Sequence, residues 1–470
     1  MTVPVTLSLN GDQYEQVRRH LYPGDGKEAV AIALCGRRNG DWRHRLVVRE
    51  ICEIPHGVCH RDEVHVTWPP EVMEDWLDRA ALQGLSVIKI HSHPSGYPAF
   101  SEIDDAGDRR LLPMIRGWIE ADIPHGSVIM LPDGQMFGRV LTRDGVLAPI
   151  AAINVVGHDL HFWYPDAGSL ELPSFVASHA QAFDEGTIGR LRRLWVAVIG
   201  VSGTGSPIVE MLVRLGVGVL VVVDDDIMKV RNINRILNST MQDVRRKRLK
   251  VDVIGDAIER TELGTRVIRV PKSLWQPCAI RAVAQCDVVF GCMDTADGRF
   301  LLNALATYYT QAYFDVGVRL EAVRDGAHKG RIREVCGTIS YVQPGRSSLI
   351  SRELITMEQV AADGLRRRDP AAHAQQVKDG YIIGVPENRP AVITVNTLAS
   401  SLLGNELLAR IHPYREEPNS AYASVIFSLA SMELITEAEE GVCSIMKNKV
   451  GIGDTTPLLG FPELSDRQDR

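Results

Sequence analysis

LWVAVIGVSGTGSPIVEMLVRLGVGVLVVVDDD, residues 194–226, is the stretch on which the fold turns. A short apolar run (LWVAVIG) leads into a glycine- and serine-bearing loop (VSGTGS). A segment with helical spacing (PIVEMLVRLG) follows, then a second apolar run that ends on three aspartates. Strand, loop, helix and strand in this order open a βαβ unit. Alternation continues downstream, with CDVVFGCMD at 286–294 reading as another buried strand, so a parallel, doubly wound sheet is the expected architecture. Gly200, Gly203 and Gly205 lie where the chain leaves a strand and opens a helix, the place where helix amides can cradle a phosphate. A packing turn uses the same residues. Asp224, ending the second strand, is placed for a ribose hydroxyl. At this level a nicotinamide dinucleotide and ATP fit equally well.

The next residues separate the two. DDDIMKVRNINR, 224–235, resembles the D-x-D-x-V-x-x-x-N-x-x-R signature of the ThiF/MoeB and ubiquitin-activating superfamily. Asp224, Asp226, Asn232 and Arg235 match its polar positions, and Met228 stands for the valine. A redox dinucleotide domain needs no such Asn/Arg pair, whereas adenylation must offset triphosphate charge while a carboxylate attacks the α-phosphorus. The superfamily also places a lysine near the triphosphate. Lys250 in RLKVD fits that role, with Arg248 and Lys247 as alternatives. Cys292-Met-Asp294 matches the C-x-D motif, which implies Asp294 as a Mg²⁺ ligand. Taken singly, each acid reads as readily as a helix cap or surface charge.

This resemblance covers roughly residues 180–430, including ENRPAVITVN, which resembles the family's returning helix. It implies a Rossmann-like ThiF-type domain that binds ATP and Mg²⁺ through Gly200, Gly203, Gly205, Asp224, Asp226, Asn232, Arg235, Lys250 and Asp294. Arg235 and Lys250 would be catalytic. Several features depart from the pattern. Ser202 replaces a glycine of the loop, and PGRSSLIS has serines where relatives carry a zinc-binding CxxC. Residues 337–442 hold no cysteine, so the segment that bears the nucleophile in thioester-forming relatives cannot supply one. Cys443 is the only thiol beyond it, and a packing role is its plainer reading. No clear counterpart exists for the arginine some family dimers contribute across their interface, although His179 and Arg190 stand nearby.

Upstream, HSHPSGYPAFSEIDD at 91–105 follows the β-rich run LSVIKI. In an extended chain His91 and His93, two apart, point to one face and can reach one ion. The turn residues Pro94, Gly96 and Pro98 allow the loop to curl back so that Asp104 becomes a third ligand. Two histidines and a carboxylate suit zinc with a position left open. Ser101 would stand beside the metal to assist an oxyanion, and Glu28, opening the EAVAIALCG strand, is the candidate general base. The plain alternative is a capping box, because S-x-x-D before a helix is one. The full set, with its seven-residue spacer Pro94–Phe100, resembles the JAMM (JAB/MPN+) metallopeptidases over roughly residues 10–145. By that resemblance His91, His93 and Asp104 hold zinc, Glu28 is the base and Ser101 assists. The glycine that usually follows the base is missing until Gly36; Glu50 and Glu53 are weaker substitutes.

Other features bound the reading. At 470 residues the chain predicts several domains. Boundaries are expected at 1–148 (JAB/MPN domain), 149–185 (linker and a helix leading onward), 186–435 (adenylation domain) and 436–470 (tail of unassigned role). A net charge of −7 gives no reason to expect nucleic acid or membrane as a partner, although RRKRLK at 245–250 is a local basic run. No signal-peptide pattern opens the sequence and no apolar run spans a bilayer, so a cytoplasmic location with reduced thiols is expected.

The two resemblances together imply a bifunctional enzyme of a prokaryotic ubiquitin-like system. One half would be a zinc isopeptidase, the other an ATP- and Mg²⁺-dependent adenylyltransferase. Expected partners are a ubiquitin-like or sulfur-carrier protein, a conjugating enzyme and a second copy of the chain. Sulfur transfer of the thiamin or molybdopterin type, a scaffold with one inactive half, and an NAD oxidoreductase are the alternatives.

Overall fold

A computed structural model describes residues 3–165, 171–322, 332–382 and 392–465. The chain divides into two compact units. The first takes in Met1–Leu170 with Thr307–Thr310 and Lys449–Thr456; the second takes in Glu171–Ala306, Gln311–Asn448 and Pro457–Arg470.

The first unit is built on a nine-stranded mixed sheet. Its order is Leu160–Trp163, Ala152–Val156, Val5–Asn10, His44–Glu53, Val30–Asn39, Ser86–Ser92, His125–Met130, Met136–Leu141 and Leu147–Pro149. Val30–Asn39 with His44–Glu53, and His125–Met130 with Met136–Leu141, are antiparallel pairs, with Gly134 in the left-handed region at the Pro-Asp-Gly turn of the second. Helix Gly11–Leu21 covers one face of the sheet; Glu74–Gln83 and Glu102–Ile119 cover the other. The strand Ser86–Ser92 serves both cores by alternation. Ile88 and Ile90 join the cluster with Leu7, Val17 and Leu21, while Val87 joins Leu77, Leu112 and Ile115.

Two parts of this unit lie outside what composition suggested. Ala152–Val156 and Leu160–Trp163, in the stretch read as the start of a linker, are strands, the former paired in parallel with Val5–Asn10. Their Gly, Pro and Asp neighbours masked five buried residues in a row. From the segment read as a tail, Lys449–Thr456 belongs to this unit. It bridges Arg37 to Gly453 in parallel, Arg38 pairs with Asp454 at 3.0 Å, and a Cβ on Gly36 would fall 2.2 Å from the Ile452 carbonyl oxygen.

The second unit is an eight-stranded sheet. Its order is Arg266–Val270, Val219–Val223, Trp195–Ile199, Val288–Gly291, Ala312–Ala322, Ile332–Val342, Ser424–Ser428 and Glu433–Glu437. The first five run parallel in the doubly wound order; the last three extend the sheet antiparallel. The leading helix is Ala177–Arg193, broken at Asp184 (φ 63°). The charged stretch after 352 forms helices Met357–Arg368 and Pro370–Lys378. Helix Ile393–Ile411 follows; the ENRPA part of the ENRPAVITVN motif lies outside the described residues. Among the described residues no helix is long and apolar enough to cross a membrane.

Candidate active sites

In the first unit, strand Ser86–Ser92 pairs antiparallel with Val30–Asn39, placing His91 opposite Val30. Glu28, just before that partner strand, thereby reaches the histidines. Helix Glu102–Ile119 starts with a full capping box: the Ser101 Oγ accepts from the Asp104 amide at 3.1 Å, and the Ser101 amide donates to Asp104 Oδ2 at 2.8 Å. The cap and the ligand set are therefore not alternatives. The cap fixes Asp104 where its carboxylate faces both imidazoles, with Oδ1 at 2.8 Å from His91 Nε2 and Oδ2 at 3.3 Å from His93 Nε2.

Three observations bear on whether these residues suit a metal ion. One donor atom from each of His91, His93 and Asp104 lies within 4.8 Å of the others. His93 Nδ1 is 2.9 Å from the Tyr97 carbonyl oxygen, which assigns the ring proton there and leaves the Nε2 lone pair facing the cluster. His91 is 1% exposed, and its Nε2, although close to Asp104, makes no aligned hydrogen bond. A buried imidazole nitrogen that faces a carboxylate without an aligned bond suits a shared cation. The donor set, two neutral nitrogens and a carboxylate, is one that zinc takes.

The electrostatics differ between the two imidazoles. Burial pushes the His91 imidazole down to about 4, with Lys89 adding to the effect, so it is neutral and ligand-competent. Burial works against charge on His93 as well, but Asp104 and the Tyr97 carbonyl outweigh it and raise its pKa. Burial opposes ionisation of Asp104 too, yet His91, His93 and Ser101 together hold it well below the usual carboxylate range. Glu28, 3.9 Å from His93 Nε2, is pushed up to about 7, chiefly by burial, with His93 pulling the other way. The Ser101 hydroxyl is spent on Asp104 Oδ2 at 2.7 Å. Glu50 and Glu53, the weaker candidates for the base, engage Arg79 and the Gln16–His20 side instead.

In the second unit the candidate residues gather at the carboxyl ends of the parallel strands, where the sheet order reverses. Gly200 follows Trp195–Ile199 and the Cys292–Asp294 loop follows Val288–Gly291. They touch: a Cβ on Gly200 (φ 86°) would sit 2.7 Å from the Cys292 carbonyl oxygen. At Gly205 a Cβ would fall 1.9 Å from the Gly200 carbonyl oxygen, so the loop closes on itself. Helix Gly205–Arg214 opens without a side-chain cap, and its Ser206 amide donates to the Ser202 carbonyl at 2.9 Å, which folds the loop onto the helix start.

Gly203 also makes room for side chains from two other elements. It admits Asn396 of helix Ile393–Ile411, whose Nδ2 would be 2.3 Å from a Cβ, and the stem of Arg235. Asp224 braces the loop by accepting from the Val201 amide at 3.1 Å, and it accepts from the Asp226 amide at 3.0 Å. Burial raises its pKa, against the pull of Lys250. The Lys250 ammonium lies 3.4 Å from Asp224 and 2.7 Å from Asp226. Of the three cations considered, Lys250 alone turns this way, since Arg248 pairs with Asp243 and Asp256, and Lys247 lies in the turn before it. Asn232 is 4% exposed and accepts from the Lys229 amide. Arg235 loses basicity through burial and through Arg231, with Asp294 opposing.

Other polar residues that support the sites carry no motif. Asp363 accepts from the Ala296 amide at 2.7 Å and Arg367 pairs with Asp297 at 2.9 Å, capping the helix that follows Asp294. In the first unit Lys89, Asp108 and Arg139 form a buried ionic cluster behind the metal-type residues. The spacing rules that selected His91, His93 and Asp104, extended by one step on strand and helix, would have found Lys89 and Asp108.

A doubly wound sheet with an uncapped helix and a glycine loop at its switch point defines a Rossmann-type nucleotide-binding protein. More specifically, residues 176–441, more than half of the sequence, match the ThiF family, and the chain belongs to it. Residues 12–140 match the prokaryotic homologs of the JAB domain. Among curated relatives, adenylyltransferase and sulfurtransferase UBA4 of Meyerozyma guilliermondii is 31% identical over 121 residues, 26% of this chain and 28% of that protein. Ubiquitin-like modifier-activating enzyme 5 of Culex quinquefasciatus is 25% identical over 207 residues, 42% of this chain and 49% of its own. The chain thus spans about half or less of the length of these relatives. Escherichia coli MccB crystallised with ATP is 15% identical, with 59% of this chain and 75% of that chain covered, at a TM-score of 0.42.

Proposed function

We propose that the second unit uses ATP and Mg²⁺ to adenylate the C-terminal carboxylate of a ubiquitin-like protein, and that the first is a zinc peptidase that trims or releases the same C-terminus. The observation that carries this reading is the union in one chain of a ThiF-type cradle with the buried convergence of His91, His93 and Asp104 beside Glu28. Both chemistries act on one substrate feature, an extended tail, and tethering raises the effective concentration of the second site for a tail held by the first.

In the activation step a carboxylate oxygen of the partner bonds to the α-phosphorus as the bridging bond to the β-phosphate breaks and pyrophosphate leaves. Lys250 and Arg235 are the cations that offset the charge, the amides of Gly203–Gly205 face the phosphates, and Asp294 is the residue that would hold Mg²⁺. In the peptidase half His91, His93 and Asp104 would hold zinc, which when bound makes water a nucleophile near neutral pH. Glu28 Oε1, its carboxyl raised to about 7, takes a proton from the attacking water and returns it to the leaving amine. Dimer formation and transfer to a conjugating enzyme belong to the same reading.

A second reading, activation of a sulfur carrier, is favoured by one observation. Cys443 is fully buried and residues 337–442 contain no cysteine, so beyond Cys336 an internal thioester has no accessible thiol. The test is the intact mass of a candidate ubiquitin-like protein incubated with the enzyme, Mg²⁺ and ATP. A shortened C-terminus that disappears with Glu28→Gln, and an AMP adduct that disappears with Asp294→Ala, are the expected results. An unchanged mass with no pyrophosphate release rejects the reading. A thiocarboxylate on the carrier selects the second one.

A further inference from the structure

Behind the proposed zinc residues lies a set of buried charges that the proposed chemistry does not use. Strand alternation puts Val87, Lys89 and His91 on the face that meets helix Glu102–Ile119. On that helix Asp104 and Asp108 lie one turn apart on the same side, followed by the buried Leu112 and Ile115. The two stripes run antiparallel and match position by position. His91 and His93 meet Asp104, Lys89 meets Asp108 at 2.6 Å, and Val87 packs with Leu112 and Ile115. Asp108 is 0% exposed and Lys89 7%.

Arg139, from strand Met136–Leu141, closes the cluster. Its Nε and Nη2 donate to Asp108 Oδ2 at 2.9 and 2.7 Å, its Nη1 to Asp105, and its guanidinium lies 3.7 Å over the Phe100 ring. Asp105 and Phe100 border the same S-x-x-D cap that presents Asp104. Strands Ser86–Ser92 and Met136–Leu141 are thus tied to one carboxylate of the helix, and Arg139 also covers Phe100 of the loop before it.

A buried ion pair is a poor source of net stability, because desolvation offsets its attraction. Its better-attested use is to fix register. A slip of the helix by one residue would leave Asp108 without Lys89 and bury two uncompensated charges. Apolar residues in the same places would tolerate such a slip. We infer that Lys89, Asp108 and Arg139 are positioning residues that lock helix Glu102–Ile119 against strand Ser86–Ser92, so that Asp104 meets His91 and His93 at ligand distance. The inference rests on the zinc reading above and goes beyond it, since none of the three touches the proposed ion.

The experiment measures zinc affinity of the full-length protein by competition with a chromophoric chelator, alongside melting of the metal-free and zinc-loaded forms. Wild type, His91→Ala, Asp108→Asn and the double substitution Lys89→Met/Asp108→Leu are compared. The double variant removes the Lys89–Asp108 pair while Arg139 keeps Asp105 as its partner, and so guards against simple misfolding. Asp108→Asn and the double variant are expected to bind zinc ten- to a hundred-fold more weakly, the usual cost of losing support behind a ligand. Lys89→Arg is expected to recover most of the affinity. The double variant should keep a cooperative metal-free melt, a readout that separates positioning from gross unfolding. Undiminished zinc affinity in the folded double variant overturns the inference while leaving the zinc reading intact. Wild type that binds no more zinc than His91→Ala overturns both.

Discussion

The two candidate sites solve opposite problems of assembly. In the first unit the ligand-type residues come from one strand end and the following helix start, within residues 91–104, and are nearly closed from solvent. His91, His93 and Asp104 converge there with an imidazole nitrogen left unbonded. In the second unit the candidates are gathered from loops spread over residues 200–294, and their charges satisfy one another, Lys250 against Asp224 and Asp226. A site for a permanent ion can be built tight and left short of one partner. One that admits and releases a nucleotide must hold its charges in exchangeable pairs, with side chains such as Asp226, 53% exposed, at its mouth.

The largest expected effect breaks the first half of this comparison. Asp104→Ala removes one of the three proposed ligands and the acceptor of the helix cap. Zinc content, read by elemental analysis after gel filtration, should fall from about one ion per chain to near none. ATP–pyrophosphate exchange by the second unit should persist. Zinc retained in full would mean that the convergence of these residues is only a capped helix packed on two histidines.

Next in size is the exchangeable pair. Lys250→Ala should lower pyrophosphate exchange by roughly a hundred- to a thousand-fold, the scale for loss of one charge-stabilising donor at a reacting phosphate. Lys250→Arg should restore part of it. If Arg248→Ala has the larger effect, the wrong cation has been assigned, and the pairing of Lys250 with Asp224 and Asp226 is structural.

How far the sequence foretold these sites follows from the same contrast. H-x-H and S-x-x-D were legible because strand period and helix cap are local rules, and the βαβ opening was legible because apolar runs and a glycine loop alternate in order. The partners of those residues were not. A lysine such as Lys89 reads as solvent-facing until a buried aspartate is known to sit across from it, and nothing local announces Arg139. Placement at a strand end suggests a ribose contact for Asp224, but not that its oxygens also engage the Val201 amide, the Asp226 amide and Lys250. Ala152–Val156 and Leu160–Trp163 were missed because turn residues on either side outweighed two short strands whose pairing is long-range.

A smaller effect concerns pH and touches the first unit through a residue outside its site. His125 is fully buried, and its Nδ1 accepts from the Val87 amide at 3.1 Å, so protonating it would cost that bond. Burial, with Arg116 and Arg37 nearby, pushes its pKa down to about 4. The folded value lies below that of the unfolded chain, so its contribution to stability is complete above about pH 6.5 and is lost as pH falls toward 4. The full span corresponds to roughly 3 kcal/mol at 1.36 kcal/mol per pH unit. Melting of the chelator-treated protein should drop between pH 7 and pH 5, and less steeply in His125→Gln. Equal slopes would assign the acid sensitivity to other groups.

The smallest expected effect is the one most informative about the second unit. Cys443 is 0% exposed, and its amide donates to the Arg346 carbonyl at 3.1 Å. The loop that holds it is knotted by Arg352 and Glu439, buried partners at 2.8 Å, with Glu439 also accepting from the Ser347 amide at 3.0 Å. Serines of PGRSSLIS, where zinc-binding relatives carry cysteines, thus serve a polar staple between the same loop and the segment before Cys443. A thiol in that setting packs. Cys443→Ser should leave pyrophosphate exchange within about two-fold of wild type, because no interaction specific to the transition state is removed. The enzyme should gain no thiol-labile mass from its partner in either form. A covalent adduct lost in Cys443→Ser would instead require the Arg352–Glu439 staple to open during turnover, and would make this loop the moving part of an otherwise preformed cradle.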